Sequence, residues 1–260
     1  MITLPFKFEE DVSLGKISTP EYLDCEGCFM LNELPRETEV QKSLKYLNVL
    51  HAELIALPQH LEQLENLEEL NVGSPLLTEL SSSLYTLSSL TDLTLLECTN
   101  LLFIDNSIEK LVHLERFRIY NCGVRALPER IAWMNMKIFD VQECPLYFTH
   151  LAIGVDSGNM APGCSQAQGI IDHGVYHNWS SCLTNLIIRH GRILKIHISW
   201  AESLFPKLEI VDLSSNIYLR EISGLPGSLI TLMNCSELRT LACLSTLVGL
   251  KVLDIIGWML

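Results

Sequence analysis

One spacing recurs along this chain and leaves few folds open to it. Apolar-x-apolar triplets stand at Leu47-Asn48-Val49, Leu70-Asn71-Val72, Leu93-Thr94-Leu95, Phe117-Arg118-Ile119 and Phe139-Asp140-Val141, each preceded three residues earlier by Leu44, Leu67, Leu90, Leu114 or Met136. Their starts are separated by 23, 23, 24 and 22 residues. Cys98, Cys122 and Cys144 follow three residues beyond the last apolar position of their triplets, and Leu57-Pro58 and Leu127-Pro128 come later in the period. An earlier copy, Leu23, Cys25, Cys28, Leu31, Leu34 and Pro35, fits the same frame 24 residues before Leu47. Self-similarity at this period signals a stacked array of short units.

A second block resumes at Leu183 with Leu186 and Ile188, then Leu208, Val211, Leu213 and Asn216, then Leu250, Leu253 and Ile255. Phe139 to Leu186 is 47 residues, about two periods, so one repeat there is expected to be missing or disguised. The unit starting at Leu229 reads as short, because Leu232 is followed directly by Cys235, Leu238 and Leu241. A strand that has lost two residues, and hence a distorted rung, is expected at that place.

In such a pattern each apolar-x-apolar triplet is a short strand whose alternate residues point inward. The later apolar positions bring the chain back across the core. One coil cannot bury its own apolar face, so coils must stack. The expected fold is an α/β solenoid: a curved ladder with a parallel sheet on the concave face and loops, turns or short helices on the convex face. An Asn after each strand can satisfy loop backbone groups, and a Cys there is a compact apolar filler with a weak donor.

The pattern resembles the leucine-rich-repeat superfamily over roughly residues 22–146 and 183–260. Cys28, Cys98, Cys122 and Cys144, with the Leu34-Pro35, Leu57-Pro58 and Leu127-Pro128 ends, are similar to the cytoplasmic repeats of plant nucleotide-binding leucine-rich-repeat immune receptors. The stretch Leu127-Pro128-Glu129-Arg130-Ile131 also resembles repeats of intracellular Ras-signalling scaffolds. The resemblance implies a partner-binding role in immune-type or other intracellular signalling, including plant defence. No G-x-x-x-x-G-K-[ST] loop occurs in the chain, so in such a receptor this would be the sensor portion alone.

Composition narrows the partners. With 48% apolar residues there is enough material for a large core. The net charge of −13, spread along the chain, repels phosphate backbones and anionic lipid surfaces, so neither nucleic acid nor membrane insertion is expected. The N-terminal residues show no apolar secretory core and the stretch from Leu247 to Leu260 is broken by Lys251 and Asp254, so a cytoplasmic location is expected. Nine cysteines, an odd number, then read as reduced thiols, and Asn178-Trp179-Ser180 as an unused glycosylation pattern.

The chain divides into residues 1–21, a leader or degenerate cap; 22–146, repeats; 147–182, an irregular insertion or eroded repeat; and 183–260, repeats left open at the C-terminus. In the insertion, glycines are spaced among Ser, Asn, His and Gln, consistent with a functional loop or with a repeat whose strand has eroded. At the end, Leu250, Leu253, Ile255 and Trp258 form a rung with no polar cap, which is expected to fray or to self-associate.

No constellation demands chemistry. Cys25-Glu26-Gly27-Cys28 is a Cys-x-x-Cys, but Cys25 falls on an inward strand position and Cys28 on the ladder position. Cys164, His173, His177 and Cys182 have zinc-ligand types, with Gly174 weakening any helical spacing, so a metal-dependent activity seated in the insertion is a rival expectation. No Gly-x-Ser-x-Gly, His-Glu-x-x-His or Cys-x-Asp motif is present. The leading expectation is therefore a non-enzyme without cofactor or metal that binds a protein or peptide on its concave face. The same ladder also suits a bacterial-type effector without its catalytic domain, or a purely structural fragment of a larger receptor. The outward positions of the first block include Arg116, Arg118 and Tyr120 on one rung, with Asn121 after it, beside Asp140, Gln142 and Glu143 on the next. Arg and Tyr combine large contact area with hydrogen-bonding capacity, so these seven residues form the candidate patch.

Overall fold

The computed structural model describes residues 2–3, 20–29, 42–57, 61–128, 131, 134–148, 151–153, 175–177, 182–198, 207–223, 229–231, 235–238, 240–241 and 253–254. Its strands are β1 (Ile2–Thr3), β2 (Tyr22–Asp24), β3 (Tyr46–Val49), β4 (Glu69–Val72), β5 (Asp92–Leu96), β6 (Arg116–Tyr120), β7 (Ile138–Gln142), β8 (Tyr147–Phe148) and β9 (Leu151–Ile153). They continue as β10 (Val175–His177), β11 (Asn185–Arg189), β12 (Arg192–Ile193), β13 (Lys195–Ile198), β14 (Ile210–Asp212), β15 (Glu221–Ser223), β16 (Leu229–Thr231), β17 (Thr240–Leu241) and β18 (Leu253–Asp254).

Eleven strands make one parallel sheet in the order β1-β2-β3-β4-β5-β6-β7-β11-β14-β16-β18. The inward residues Leu23, Leu47, Leu70, Leu93, Phe117, Phe139, Leu186 and Val211 fall into register from rung to rung, and Ile230 and Leu253 continue the same register. Leu47, Leu70, Leu93, Phe117 and Phe139 are fully buried. The convex side has little helix: single 3-10 segments at Leu61–Gln63, Ser82–Thr86 and Asn106–Lys110. The last two are capped by Ser81 and Asp105, whose side-chain oxygens accept from the Ser83 and Ser107 amides. The solenoid fold is the one the period demands.

Strand β7 pairs directly with β11 over five residues, Phe139 with Leu186 and Val141 with Ile188. Among the described residues between them, none adds a strand to this sheet. The 47-residue span is thus a single enlarged coil. Its described extra strands lie outside that sheet: β8 pairs with β12, while β9 pairs with β13 and carries β10 on its other side. This second sheet, β10-β9-β13-β15-β17, also runs parallel.

The unit near Leu229 differs from the sequence expectation. β16 keeps three residues in register with β14, Ile210 opposite Leu229 and Asp212 opposite Thr231, and Cys235 is buried at the ladder position. Shortening therefore falls before the strand, because pairing in the sheet fixes the strand while the convex connection is free to shrink. Of the C-terminal rung, Leu253 lies on β18; Leu250, Ile255 and Trp258 fall outside the described residues.

The turn after each strand is closed by the ladder residue. Asn216 is fully buried; its Nδ2 donates to the carbonyls of Ile188 at 2.8 Å and Leu213 at 2.6 Å, and its Oδ1 accepts from the Gly191 amide at 2.9 Å. The cysteines do the same work weakly: Cys98, Cys122 and Cys144 place Sγ 3.9, 3.6 and 3.8 Å from the carbonyls of Val72, Leu95 and Ile119 on the preceding coil. Ser74 replaces them on one rung, donating to Leu54 at 2.7 Å. Neighbouring coils approach closely here, since a side chain at Gly123 would begin 2.2 Å from the Thr99 carbonyl oxygen.

These bonds predict unequal costs. Asn216→Ala strands three buried backbone groups and is expected to lower stability by about 3 kcal/mol, whereas Cys144→Ala loses a small apolar filler and about 1 kcal/mol. Urea denaturation of both variants measures the difference; equal losses would show that the asparagine is mere filler.

Candidate functional site

The outward residues of the concave sheet form three columns. The first runs Tyr22, Tyr46, Glu69, Asp92, Arg116, Ile138 and Asn185; the second Asp24, Asn48, Asn71, Thr94, Arg118, Asp140, Ile187 and Asp212. The third holds Leu96, Tyr120, Gln142 and Arg189.

Across β5 to β14 these side chains are tied to one another. Arg116 grips Asp92 with Nε and Nη2, one nitrogen on each carboxylate oxygen. Its Nη1 also lies 3.5 Å from Glu115. Arg118 Nη1 sits 3.7 Å from the same Asp92, whose carboxylate further accepts from Thr91 at 2.8 Å. Tyr120 donates to Asp140 Oδ2 at 2.7 Å, and Gln142 donates to the other oxygen at 2.8 Å. The Gln142 carbonyl oxygen in turn accepts from Arg189 at 3.4 Å, and Arg189 grips Asp212 through Nε and Nη2. Asp212 accepts the Ser214 amide at 3.0 Å.

The three aspartates are almost fully buried, at 7%, 7% and 4% exposure for Asp92, Asp140 and Asp212. The arginines reach solvent over about a third of their side chains. Charge is consequently sunk into the sheet at the aspartates and presented by the cations and Tyr120. Burial tends to raise the Asp212 pKa, but the Arg189 and Ser214 hydrogen bonds prevail and hold it below its ordinary value of 3.8. Burial, then the bond to Asp140, raises the Tyr120 phenol.

Of the seven candidate residues, Arg116, Arg118, Tyr120, Asp140 and Gln142 come together on the face. Asn121 and Glu143 instead occupy the turn at its rim, with φ of 50° and 55°. His51, Glu97, His190 and Ser215 take the same left-handed conformation on other rungs, so this is the recurring way in which the chain leaves the strand. Three members were missed in the sequence: Asp92, Arg189 and Asp212. Arg189 could have been found by counting the 47-residue span as one coil, which puts it beside Gln142.

Cys25 and Cys28 are buried in the core. Burial, with Cys28 and Asp24 adding to it, pushes the Cys25 thiol up to about 12, and Cys28 is raised by burial as well. A pair so poor in thiolate is a weak nucleophile. Among the described residues no group of three or more His, Cys, Asp or Glu could hold a metal ion. Cys164 and His173 lie outside the described residues, while His177 is on β10 and Cys182 is half-buried. Among the described residues no helix is long and apolar enough to cross a membrane.

No protein-family model matches the chain, and no curated protein matches it in sequence. Solved structures do resemble it. The leucine-rich-repeat domain of the type III effector XopL is 22% identical with a TM-score of 0.55, over 91% of this chain and 68% of that one. A leucine-rich-repeat protein of Leptospira interrogans gives 17% identity and 0.56, over 100% and 64%. The plant peptide hormone receptor RGFR1, in complex with RGF2, gives 16% and 0.55, over 95% and 41%. The chain spans under two thirds of the last two. These likenesses show that the fold is a leucine-rich-repeat solenoid.

The depressed Asp212 pKa has a defined pH signature. Stabilisation from the pair is complete above pH 3.8 and is lost as pH falls through the lower folded value. Asp212→Asn is expected to cost about 2 kcal/mol at pH 7, below the full cost of breaking a buried pair because Arg189 is partly solvated. The gap from wild type should close below pH 3.8 in urea titrations. A pH-independent gap would mean that the pair contributes through shape alone.

Proposed function

We propose that the chain is a non-catalytic module that recognises a protein or peptide on its concave face, and that it works in the cytoplasm in immune-type or other intracellular signalling. The observation that carries this reading is the bonded array from Asp92 to Asp212. Ordering a long side chain on binding costs roughly 0.5–1.5 kcal/mol, and here arginine, tyrosine and glutamine side chains are already held in place before any partner arrives. A face so prepared loses little entropy on docking. RGFR1, whose fold this chain shares, was solved in complex with RGF2, and XopL is a type III effector; both lend support to a role in recognition. The similarity of the cysteine ladder to plant immune-receptor repeats supports the signalling context.

Arg116 is a poor residue to reverse, because a carboxylate there would face buried Asp92 and threaten the fold. Arg118 is the better probe. Arg118→Ala, which removes the cation without setting a carboxylate against Asp92, is expected to weaken partner capture roughly tenfold, equivalent to about 1.4 kcal/mol, with little change in melting temperature. Undiminished capture by this variant, together with loss of capture on Phe103→Glu at the exposed convex side, would move the binding surface off the concave face.

A further inference from the structure

The two ends of the concave face differ in charge. From β5 onward every buried aspartate is met by a side-chain donor, and Asp92 and Asp212 each carry an arginine. Among the described residues no cation stands on the face over β2 to β4. Asp24, Glu26 and Glu69 form no ion pair among the described residues. The nearest lysines turn away, Lys42 to Glu65 and Lys45 to Glu21, each at 3.4 Å.

What stands there instead is an aromatic stack. Tyr22 and Tyr46, neighbours in the first column, have ring centroids 3.8 Å apart and planes within 7°. Tyr22 is 39% exposed. Two buried amides fix the surrounding groups from beneath. Asn48 Nδ2 donates to Asp24 at 3.1 Å and to Glu26 at 3.2 Å; Asn71 Nδ2 donates to Glu69 at 2.9 Å and to the Tyr46 hydroxyl at 3.4 Å. A neutral amide orients a carboxylate without neutralising it. The face therefore combines stacked rings with three oriented carboxylates that make no salt bridge among the described residues, Asp24 and Glu26 at β2 and Glu69 two strands away on β4, about 9.6 Å across.

We infer that the concave surface over β2 to β4 docks a cationic, Lys- or Arg-bearing segment of the protein partner. The inference rests on the concave-face reading above and assigns the chemistry of one end of it. A guanidinium or ammonium laid over Tyr22 gains from the ring face, and Asp24, Glu26 and Glu69 supply the counter-charge. Acidic segments and nucleic acid are repelled from the same place.

The test uses a capped peptide of alternating Arg and Gly, labelled for fluorescence anisotropy, with its Glu–Gly counterpart as control, at physiological salt. Wild-type chain is expected to bind the first and not the second. Glu26→Gln with Glu69→Gln should weaken binding at least about tenfold, and Tyr22→Ser about threefold. A charge-matched convex variant, Glu62→Gln with Glu79→Gln, should stay within about twofold of wild type. The concave double variant should melt no lower than wild type, so that lost binding is not lost folding. Equal weakening by the convex variant would overturn the inference, since attraction would then reflect only the net charge of −13. So would failure of the wild-type chain to bind the Arg peptide. If that failure comes with partner capture that still depends on Arg118, this inference falls and the concave-face reading stands; if capture depends on no concave residue, both fall.

Discussion

No coil of this chain can bury its own inward residues, and every other feature answers to that fact. Leu47, Leu70, Leu93, Phe117 and Phe139 are fully buried only because the next rung covers each of them. Burial of side chains this size is worth roughly 1.5–3 kcal/mol apiece, so stability accumulates between neighbours and a lone coil has almost none. Close stacking also brings loop backbone groups into the interior. The residue after each strand must then bond to the coil before it, strongly where it is Asn216 and weakly where it is Cys98, Cys122 or Cys144.

Stacking of this kind makes the outward columns of the concave sheet regular. An arginine on one rung meets an aspartate on the next at a distance set by strand spacing alone. Arg116 with Asp92 and Arg189 with Asp212 are two instances, pointing in opposite directions along the stack. Between them Tyr120, Asp140 and Gln142 complete a bonded path. The convex side is bound by no such register. It accommodates single 3-10 turns, a connection shortened before Leu229, and the extra strands β8, β9 and β10 without interrupting the concave ladder.

The fold was legible because apolar spacing is the direct cause of the stack: Leu47, Leu70 and Leu93 announce their register in the sequence. The candidate face was legible in part. Strand alternation alone places Arg116, Arg118 and Tyr120 outward, but it cannot say which partner a guanidinium selects. Asp92 holds Arg116 as its register partner, whereas Asp140, opposite Arg118, is bonded by Tyr120 and Gln142 instead. Asn121 and Glu143 follow the strand pattern as extensions of the face; among the described residues six non-glycine residues adopt the left-handed turn, and of these two only Asn121 is of a residue type that itself favours it. Arg189 and Asp212 were hidden by length. A span of two periods invites two rungs, and only strand pairing reveals that it makes one.

That single enlarged coil decides which residues share the face, and an engineered disulfide tests it directly. Ile138 and Asn185 are register partners on β7 and β11. Neighbouring parallel strands lie about 4.8 Å apart, within the Cα range that a disulfide spans, whereas an intervening strand would separate them by about 9.6 Å and forbid it. Ile138→Cys with Asn185→Cys should crosslink under mild oxidation as readily as the control pair Tyr46→Cys with Glu69→Cys on β3 and β4, as read by peptide mass mapping. Crosslinking of the control alone would place another strand between β7 and β11 and contradict this account.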